Sequence, residues 1–508
     1  MTAGPVAPRR TDGAETNPAR EFQPGVLLAV AWVGLATVLQ VARQPGVPSW
    51  DHIWAEDGGI FLSHAFAKPF LTTVGDPHAG YLQVMPRIVA SFASALPVQW
   101  AALGVAAGSA VVVSCLSLYV YFASGSLLRS QWARALLAGL AVLLPATAFE
   151  TNASAANLHW YLIFACFWVF VVRSESWPAV AAGSAVVLAA TLSDPLSGLL
   201  LPLALVHAAN RKTWRGRVVL LAFLLGLAGQ LLFGVLPEPP SAFFNADLSS
   251  VPEIYGLRVA GSFLVGDRYL AFLWEKFGVA FPFTSLALVV LIAGYGIARG
   301  NARARLYIVV SLVYSFLFFG VTLKIRGTEG FLDKPFSLNG SRYTVVPILF
   351  LVVVTLLVLD RREPRLSEAR WRDIQYAFVL FTLTLVLLNF SNLSVRSPAP
   401  SWRAGLAAAR DECAAGPRGV PPGQPADPLR PVVVMREGRA LVVVPIAPGD
   451  WPVVVSCERV QRDLSSHASR ISFSKGVRPR RTLVVSPRPS CARRRASGRR
   501  SSAPPQTG

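Results

Sequence analysis

Apolar runs close to the length of a membrane-spanning helix recur along most of this chain. A helix needs about 20 predominantly apolar residues to cross the hydrocarbon core of a bilayer. Only 15% of the 508 residues are charged, whereas a soluble protein carries about 25% charged residues. The mean hydropathy is +0.47. The pattern predicts an all-α polytopic membrane protein and excludes a soluble globular domain.

We predict eleven transmembrane helices between residues 25 and 391, after a cytoplasmic N-terminal tail, 1–24. The ranges are 25–42, 100–122, 133–148, 158–172, 178–192, 196–210, 218–237, 278–298, 306–323, 344–360 and 375–391. The fourth, fifth and sixth ranges are short, which favours tilted or broken helices at these positions.

Basic residues predict the orientation of the helices, because lysine and arginine concentrate in cytoplasmic loops. Alternate gaps hold Arg129 and Arg134; Arg173; Arg211, Lys212, Arg215 and Arg217; Arg299, Arg303 and Arg305; and Arg361, Arg362, Arg365, Arg370 and Arg372. We expect these five gaps and the N-terminus in the cytoplasm. Loops 43–99, 149–157, 193–195, 238–277 and 324–343 then face out, as does the chain after about 391.

The segment Leu82–Pro97 could be a twelfth span, but inserting it would break the alternation of basic gaps. We therefore predict an amphipathic helix lying at the outer surface. The loop 238–277 carries aromatic and charged residues at helical spacing, which is typical of an interfacial helix that could cover a groove for a lipid substrate.

After the last predicted span, residues 392–475 form a small extracytoplasmic domain that contains β-structure. Two Val-rich stretches within Pro431–Pro445 flank Glu437-Gly438 and predict a β-hairpin. Trp451–Cys457 predicts a third strand. Cys413 and Cys457 flank this unit on the expected oxidising side, so they are candidates for a disulfide.

The last 33 residues, 476–508, hold nine arginines and no acid, a composition typical of disorder. Cys491 is left over in this tail. The formal net charge of the chain is +20, but a nucleic-acid partner is excluded by location because the tail is expected outside the cell. The expected partners are the lipid bilayer and the cell envelope.

The loop 43–99 carries the most distinctive polar motif, Trp54-Ala55-Glu56-Asp57-Gly58-Gly59-Ile60-Phe61. Acids at the mouth of a membrane bundle are costly to keep without a use. Two adjacent carboxylates repel each other, which raises the proton affinity of one and favours a general base. Glu56 and Asp57 are therefore the candidate catalytic residues; the alternative is a solvated turn.

Other polar residues in the outer loops are candidates for substrate binding. They are His52, His64, His78, Tyr81 and Arg87 in loop 43–99; Asn157, His159 and Trp160 at the outer mouth between the third and fourth spans; and Lys324, Arg326, Arg342 and Tyr343 in loop 324–343. The spacing of the three histidines in loop 43–99 matches no established metal motif, although a divalent cation stays an alternative. No cofactor is expected.

Three polar or aromatic residues near the outer face, Asp194, Trp160 and Arg342, have structural interpretations. Asp194 precedes Pro195 and is favoured as a helix N-cap over a catalytic acid. Trp160 could be an interfacial anchor. Arg342 could extend toward lipid headgroups or bind a phosphate with two parallel hydrogen bonds.

The chain resembles the membrane-embedded glycosyltransferases of the GT-C type. Glu56-Asp57 followed by Phe61 is similar to the paired acids and aromatic residue of the oligosaccharyl, protein-mannosyl and aminoarabinose transferase branches. The acid order here is Glu-Asp, where several branches have Asp-Glu. The Trp-Ala-Glu-Asp-Gly run with Gly80-Tyr81 and Pro86-Arg87 also resembles uncharacterised actinobacterial membrane proteins of this superfamily.

The resemblance implies inverting sugar transfer from a polyprenyl-phosphate donor to an acceptor of the bacterial envelope. Asp57 or Glu56 would then be the base, with Asp57 favoured. Basic residues of loop 324–343 would offset the charge on the departing lipid phosphate. A transporter or flippase of lipid-linked cargo and a non-catalytic envelope scaffold are the alternatives.

Overall fold

The computed structural model describes residues 25–148, 150–172, 176–211, 213–237, 247–328, 331–332, 340–361, 366–393, 396–417, 430–449 and 451–474. The two predicted tails, 1–24 and 476–508, lie outside these residues, and so do Cys491, Arg173, Lys212, Arg362 and Arg365.

Helices form most of the structure. The first ten are α1 Val26–Ala42, α2 Ser63–Ala67, α3 Phe70–Val74, α4 Val84–Ala95, α5 Ala101–Ser124, α6 Gln131–Leu143, α7 Leu158–Val171, α8 Trp177–Thr191, α9 Leu201–Ala209 and α10 Trp214–Gln230. The others are α11 Val251–Tyr255, α12 Ser262–Val265, α13 Leu270–Phe277, α14 Ala280–Arg299, α15 Ala302–Arg326, α16 Val345–Leu359, α17 Glu368–Leu388, α18 Trp402–Ala415 and α19 Cys457–Ser474.

Six helical segments of the described chain are long and apolar enough to cross a membrane, so this is a helical membrane protein. They are Val98–Ser124, Trp214–Val235, Ala280–Arg299, Ala302–Arg326, Ser341–Leu359 and Glu368–Leu388. The prediction of eleven spans is therefore wrong. At the ranges 25–42, 133–148, 158–172, 178–192 and 196–210 the apolar helices have 17 residues or fewer. At 1.5 Å per residue they fall short of a hydrocarbon core about 30 Å thick.

Two helices, α7 and α16, form the centre of the bundle, and every residue of both is buried. A helix that is apolar on all sides needs neighbours on all sides. Aromatic side chains fill the space between them, with ring centroids of Phe167 and Phe350 4.9 Å apart and those of Phe164 and Phe350 5.6 Å apart.

The connecting segments meet in two groups, at opposite ends of α16. Near the end of α16, the Asp360 carboxylate accepts hydrogen bonds from the N–H groups of Arg129 and Ser130. Near its start, the Arg342 Nη1 atom lies 3.1 Å from the Glu150 Oε1 atom. Each contact joins two segments that the sequence analysis assigned to the same side of the membrane.

The helix α4, predicted as an amphipathic helix at the outer surface, exposes Ile88 and Phe92 on one face. It packs antiparallel along the first half of α5, where Gly104 and Gly108 face Ala93 and Val89 respectively. A Cβ atom at Gly104 would lie 2.9 Å from the Cα atom of Ala93. Small residues four positions apart allow this close approach of two helices.

The predicted β-hairpin and third strand are confirmed. Strands β1 (Val432–Arg436), β2 (Arg439–Val444) and β3 (Val453–Ser456) form an antiparallel sheet in the order β1-β2-β3. Arg436 pairs with Arg439 across the two-residue turn Glu437-Gly438, where both residues have positive φ, as hairpin turns of this length favour. Cys413 of α18 and Cys457 of α19 form a disulfide.

Candidate functional site

The C-terminal sheet region holds the acidic motif in place. The Ala55 N–H donates to the Ala447 carbonyl at 2.8 Å, and the Val454 N–H donates to the Ser63 hydroxyl at 3.0 Å. Ala55 has a φ of +44°, a left-handed conformation that costs free energy in a residue with a side chain. Residues Asp57–Leu62 then form a π-helical turn, a distortion that is frequent at functional sites.

The Asp57 carboxylate is buried, with 2% of the residue exposed. It accepts a hydrogen bond of 2.7 Å from the Ala156 N–H. Burial raises the pKa of Asp57 to about 6, although the Ala156 N–H, the charge of Arg396 and the Ser154 hydroxyl act in the opposite direction. Asp57 is therefore a carboxyl that titrates near neutral pH but is shielded from solvent.

Glu56 is only partly buried and interacts electrostatically with the Arg342 guanidinium. The Arg342 side chain is 27% exposed and lies over the Tyr343 ring, 5.1 Å from its centroid. Tyr81 is partly buried as well and interacts with both Arg342 and Arg326. These interactions join a carboxylate, two arginines and a phenol ring in one partly exposed region.

A buried histidine–aspartate pair lies beside this region. The His159 Nε2 atom is 3.4 Å from the Asp194 Oδ2 atom. Asp194 also accepts a 2.7 Å hydrogen bond from the Leu196 N–H, so the predicted N-cap is confirmed. Burial raises the pKa of Asp194 to about 7, opposed by the Leu196 N–H and the charge of Arg326.

Aromatic residues connect this pair with Arg342. The ring centroids of His159 and Trp160 are 4.5 Å apart, and those of Trp160 and Tyr343 are 5.7 Å apart in an edge-on arrangement. Trp160 is 2% exposed, so in this structure it lies inside the bundle, not at its lipid-facing surface. Asn157 is buried and donates to the Ser154 hydroxyl at 3.0 Å.

The histidines of loop 43–99 do not gather at the acid pair. His52 lies 3.2 Å from the Arg396 Nε atom, and burial followed by the Arg396 charge lowers its pKa to about 3. His64 lies 3.3 Å from the Arg87 Nη1 atom, and the His78 ring packs edge-on against Phe61. Across the described residues, no three His, Cys, Asp or Glu side chains are placed to hold a metal ion.

The remaining candidates for substrate binding are Arg87, Lys324 and Arg326. Arg87 is buried, and its guanidinium lies over the Phe61 ring, 5.5 Å from the ring centroid. It therefore stabilises the conformation of loop 43–99 and is not exposed to a substrate. Lys324 and Arg326 are both exposed on α15, and Arg326 interacts electrostatically with Asp194.

Two charged residues of the site, Glu150 and Arg396, were not predicted from the sequence. The Glu150 Oε1 atom lies 3.1 Å from the Arg342 Nη1 atom. Arg396 is 2% exposed and donates to the carbonyls of Glu150 and Asn152 at 3.1 and 2.7 Å. Glu150 was detectable as an acid at the end of an apolar run. Nothing local marks Arg396, because its partners lie more than 240 residues away.

Two apolar cavities of the described chain lie elsewhere in the bundle. One, of about 200 Å³, lies among α1, α5 and α6 and is lined by residues such as Trp32, Leu118 and Tyr121. Another, of about 30 Å³, lies among α6, α12, α16 and α17. Both belong to helix packing and not to the acidic region.

No known family model matches the chain, and no curated protein matches its sequence significantly. The fold and the charged cluster define a polytopic helical membrane protein with a polar site at one end of its bundle.

Proposed function

We propose that the chain is an integral-membrane glycosyltransferase that moves a sugar from a polyprenyl-phosphate donor to an acceptor hydroxyl of the bacterial cell envelope. The observation that carries the proposal is the electrostatic interaction between Glu56 and Arg342, whose side chains are both partly exposed. A base and a phosphate-binding cation are the two groups that this displacement requires.

Burial assigns the two acids different roles in our proposal. Asp57 was the favoured base on sequence grounds, but its carboxylate is enclosed by the Ala156 N–H and the Ser154 hydroxyl. Glu56 is the accessible acid. We therefore assign the proton transfer to Glu56 and make Asp57 a positioning residue that fixes the loop on which Glu56 stands.

The reaction is a single displacement. The Glu56 carboxylate takes the proton of the acceptor hydroxyl as the acceptor oxygen attacks the anomeric carbon. The bond between that carbon and the phosphate oxygen breaks on the opposite face, which gives inversion. The lipid phosphate leaves with the bonding electrons, and Arg342 and Arg326 stabilise its charge.

The proposal places the site end of the bundle outside the cytoplasmic membrane, with the N-terminus inside. The grouping of the loops supports this orientation, because Arg129, Arg299 and Arg361 belong to the opposite end. Nucleotide sugars stay in the cytoplasm. A transferase that acts outside therefore needs a sugar donor that is carried across the membrane on a lipid.

Sugar transfer by the purified protein in lipid nanodiscs tests this function. Glu56→Gln removes the base and should lower the rate at least about 100-fold, while Asp57→Asn, which can keep the hydrogen bond from the Ala156 N–H, should retain most of the activity. Asp76→Asn is the matched control, because it neutralises an acid of the same loop that pairs with Lys68 at 2.5 Å. Full transfer by Glu56→Gln would refute the assignment.

The same preparation separates the alternatives. A flippase would move lipid-linked cargo between leaflets without forming a glycosidic bond, and a scaffold would do neither. A transporter also needs polar residues within its spans, whereas the charged cluster described here lies at the ends of the helices.

A further inference from the structure

Glu150 is a buried charge that the proposed reaction does not use. Its side chain is 7% exposed, and its Oε1 atom lies 3.1 Å from the Arg342 Nη1 atom. Its Oε2 atom lies 3.3–3.4 Å from the Gly340 N–H, the Ser341 hydroxyl and the Arg342 N–H. One carboxylate thus occupies a set of donors that would suit an external anion equally well.

The neighbouring arginines each have another acid. Arg396 interacts electrostatically with Asp57 as well as with Glu150. Arg258 interacts with Asp267 as well as with Glu150. Arg342, the arginine that is partly exposed, forms its ion pair with Glu150 and interacts more weakly with Glu56, so Glu150 is its main internal counter-charge.

We propose that Glu150 is a specificity-determining residue that limits the negative charge of the donor's phosphate group, favouring a monophosphate over a diphosphate. This inference rests on the proposed lipid-phosphate donor. With Glu150 ionised, Arg342 attracts a nearby anion while Glu150 repels it. The repulsion grows in proportion to the charge of the ligand, so a diphosphate is penalised more than a monophosphate.

A purely structural role for Glu150 predicts a different result. The carboxylate accepts three hydrogen bonds at the segment that leads into α16, and a glutamine amide oxygen can accept the same bonds. If Glu150 only anchored this segment, its replacement by glutamine would change the binding of all phosphate ligands alike.

Equilibrium binding of farnesyl phosphate and farnesyl diphosphate to the purified full-length protein in detergent micelles tests the inference. Glu150→Gln should lower the dissociation constant of the diphosphate about tenfold and that of the monophosphate about threefold or less. The gain should disappear in the double variant with Arg342→Gln. Glu412→Gln, which neutralises an acid paired with Arg430 in the C-terminal region, should change neither dissociation constant.

An equal change for both ligands, or a loss of affinity for both, would overturn the role of Glu150 and leave the lipid-phosphate donor intact. If the wild-type protein bound neither ligand, the donor class of the proposed function would fail together with this inference. Unfolding temperatures of all variants, measured in the same micelles, exclude loss of fold as the cause of weak binding.

Discussion

The burial of Asp57 makes a quantitative prediction about stability. Its pKa rises from 3.8 to about 6 in the folded protein. A raised carboxyl pKa means that the folded state binds a proton more tightly than the unfolded state does. Ionised Asp57 therefore destabilises the fold above both pKa values, by about 3 kcal/mol at 1.36 kcal/mol per pH unit.

Replacing Asp57 by asparagine removes this penalty and keeps the shape of the side chain. The amide oxygen of the new side chain can still accept the Ala156 N–H, so Asp57→Asn should be more stable than wild type by up to about 3 kcal/mol at pH 7.5. At pH 5 the advantage should fall to about half, because the folded wild-type carboxyl is then mostly protonated. Below pH 4 the free energies of unfolding of the two proteins should become nearly equal.

Unfolding of both proteins in detergent micelles, followed by tryptophan fluorescence between pH 4 and 8, measures this difference. Asp76→Asn, at a partly exposed acid in the same loop, should show no comparable gain. Two results would contradict this reasoning: an Asp57→Asn protein that is less stable than wild type at pH 7.5, or a difference in free energy of unfolding that does not decrease as the pH is lowered. Either result would show that the folded protein stabilises the ionised Asp57 carboxylate.

Three other substitutions test how the site is supported. Gly58→Ala would place a Cβ atom 2.5 Å from the Ile446 side chain and should destabilise the protein by about 1–3 kcal/mol in thermal unfolding, whereas Gly34→Ala in open space should not. Replacing Cys413 and Cys457 by serine opens a loop of 44 residues and should cost up to about 4 kcal/mol, a loss that reductant would reproduce in the wild type. Gly104→Val should separate α4 from α5 and lower the unfolding temperature, and an unchanged temperature would contradict the tight packing at Ala93.

Local patterns in the sequence were sufficient for part of this structure. The apolar runs identified the helices of the bundle, and the turn residues Glu437-Gly438 identified the hairpin, because hydrophobicity and turn conformation depend on a few neighbouring residues. The number of spanning helices was overestimated, because apolar composition does not distinguish a short buried helix such as α7, of 14 residues, from a helix that crosses the membrane.

The candidate site was partly visible in the same way. The sequence singled out Glu56, Asp57, His159 and Arg342 because acids, histidines and arginines next to apolar runs are unusual. It ranked Asp57 above Glu56 as the base, because adjacency of two acids does not show which one the fold encloses. The exposure of each carboxyl was set by the residues packed over it.

What the sequence alone determined is that the chain is a helical membrane protein with acids beside its first apolar helix, because these properties are carried by composition and local spacing. Only the tertiary structure decided which charges meet. Arg396 reaches the Glu150 carbonyl across 246 positions, and Arg342 reaches the Glu150 carboxylate across 192. Such contacts depend on how the helices pack, since a charge exerts its effect through distance in space and not along the chain.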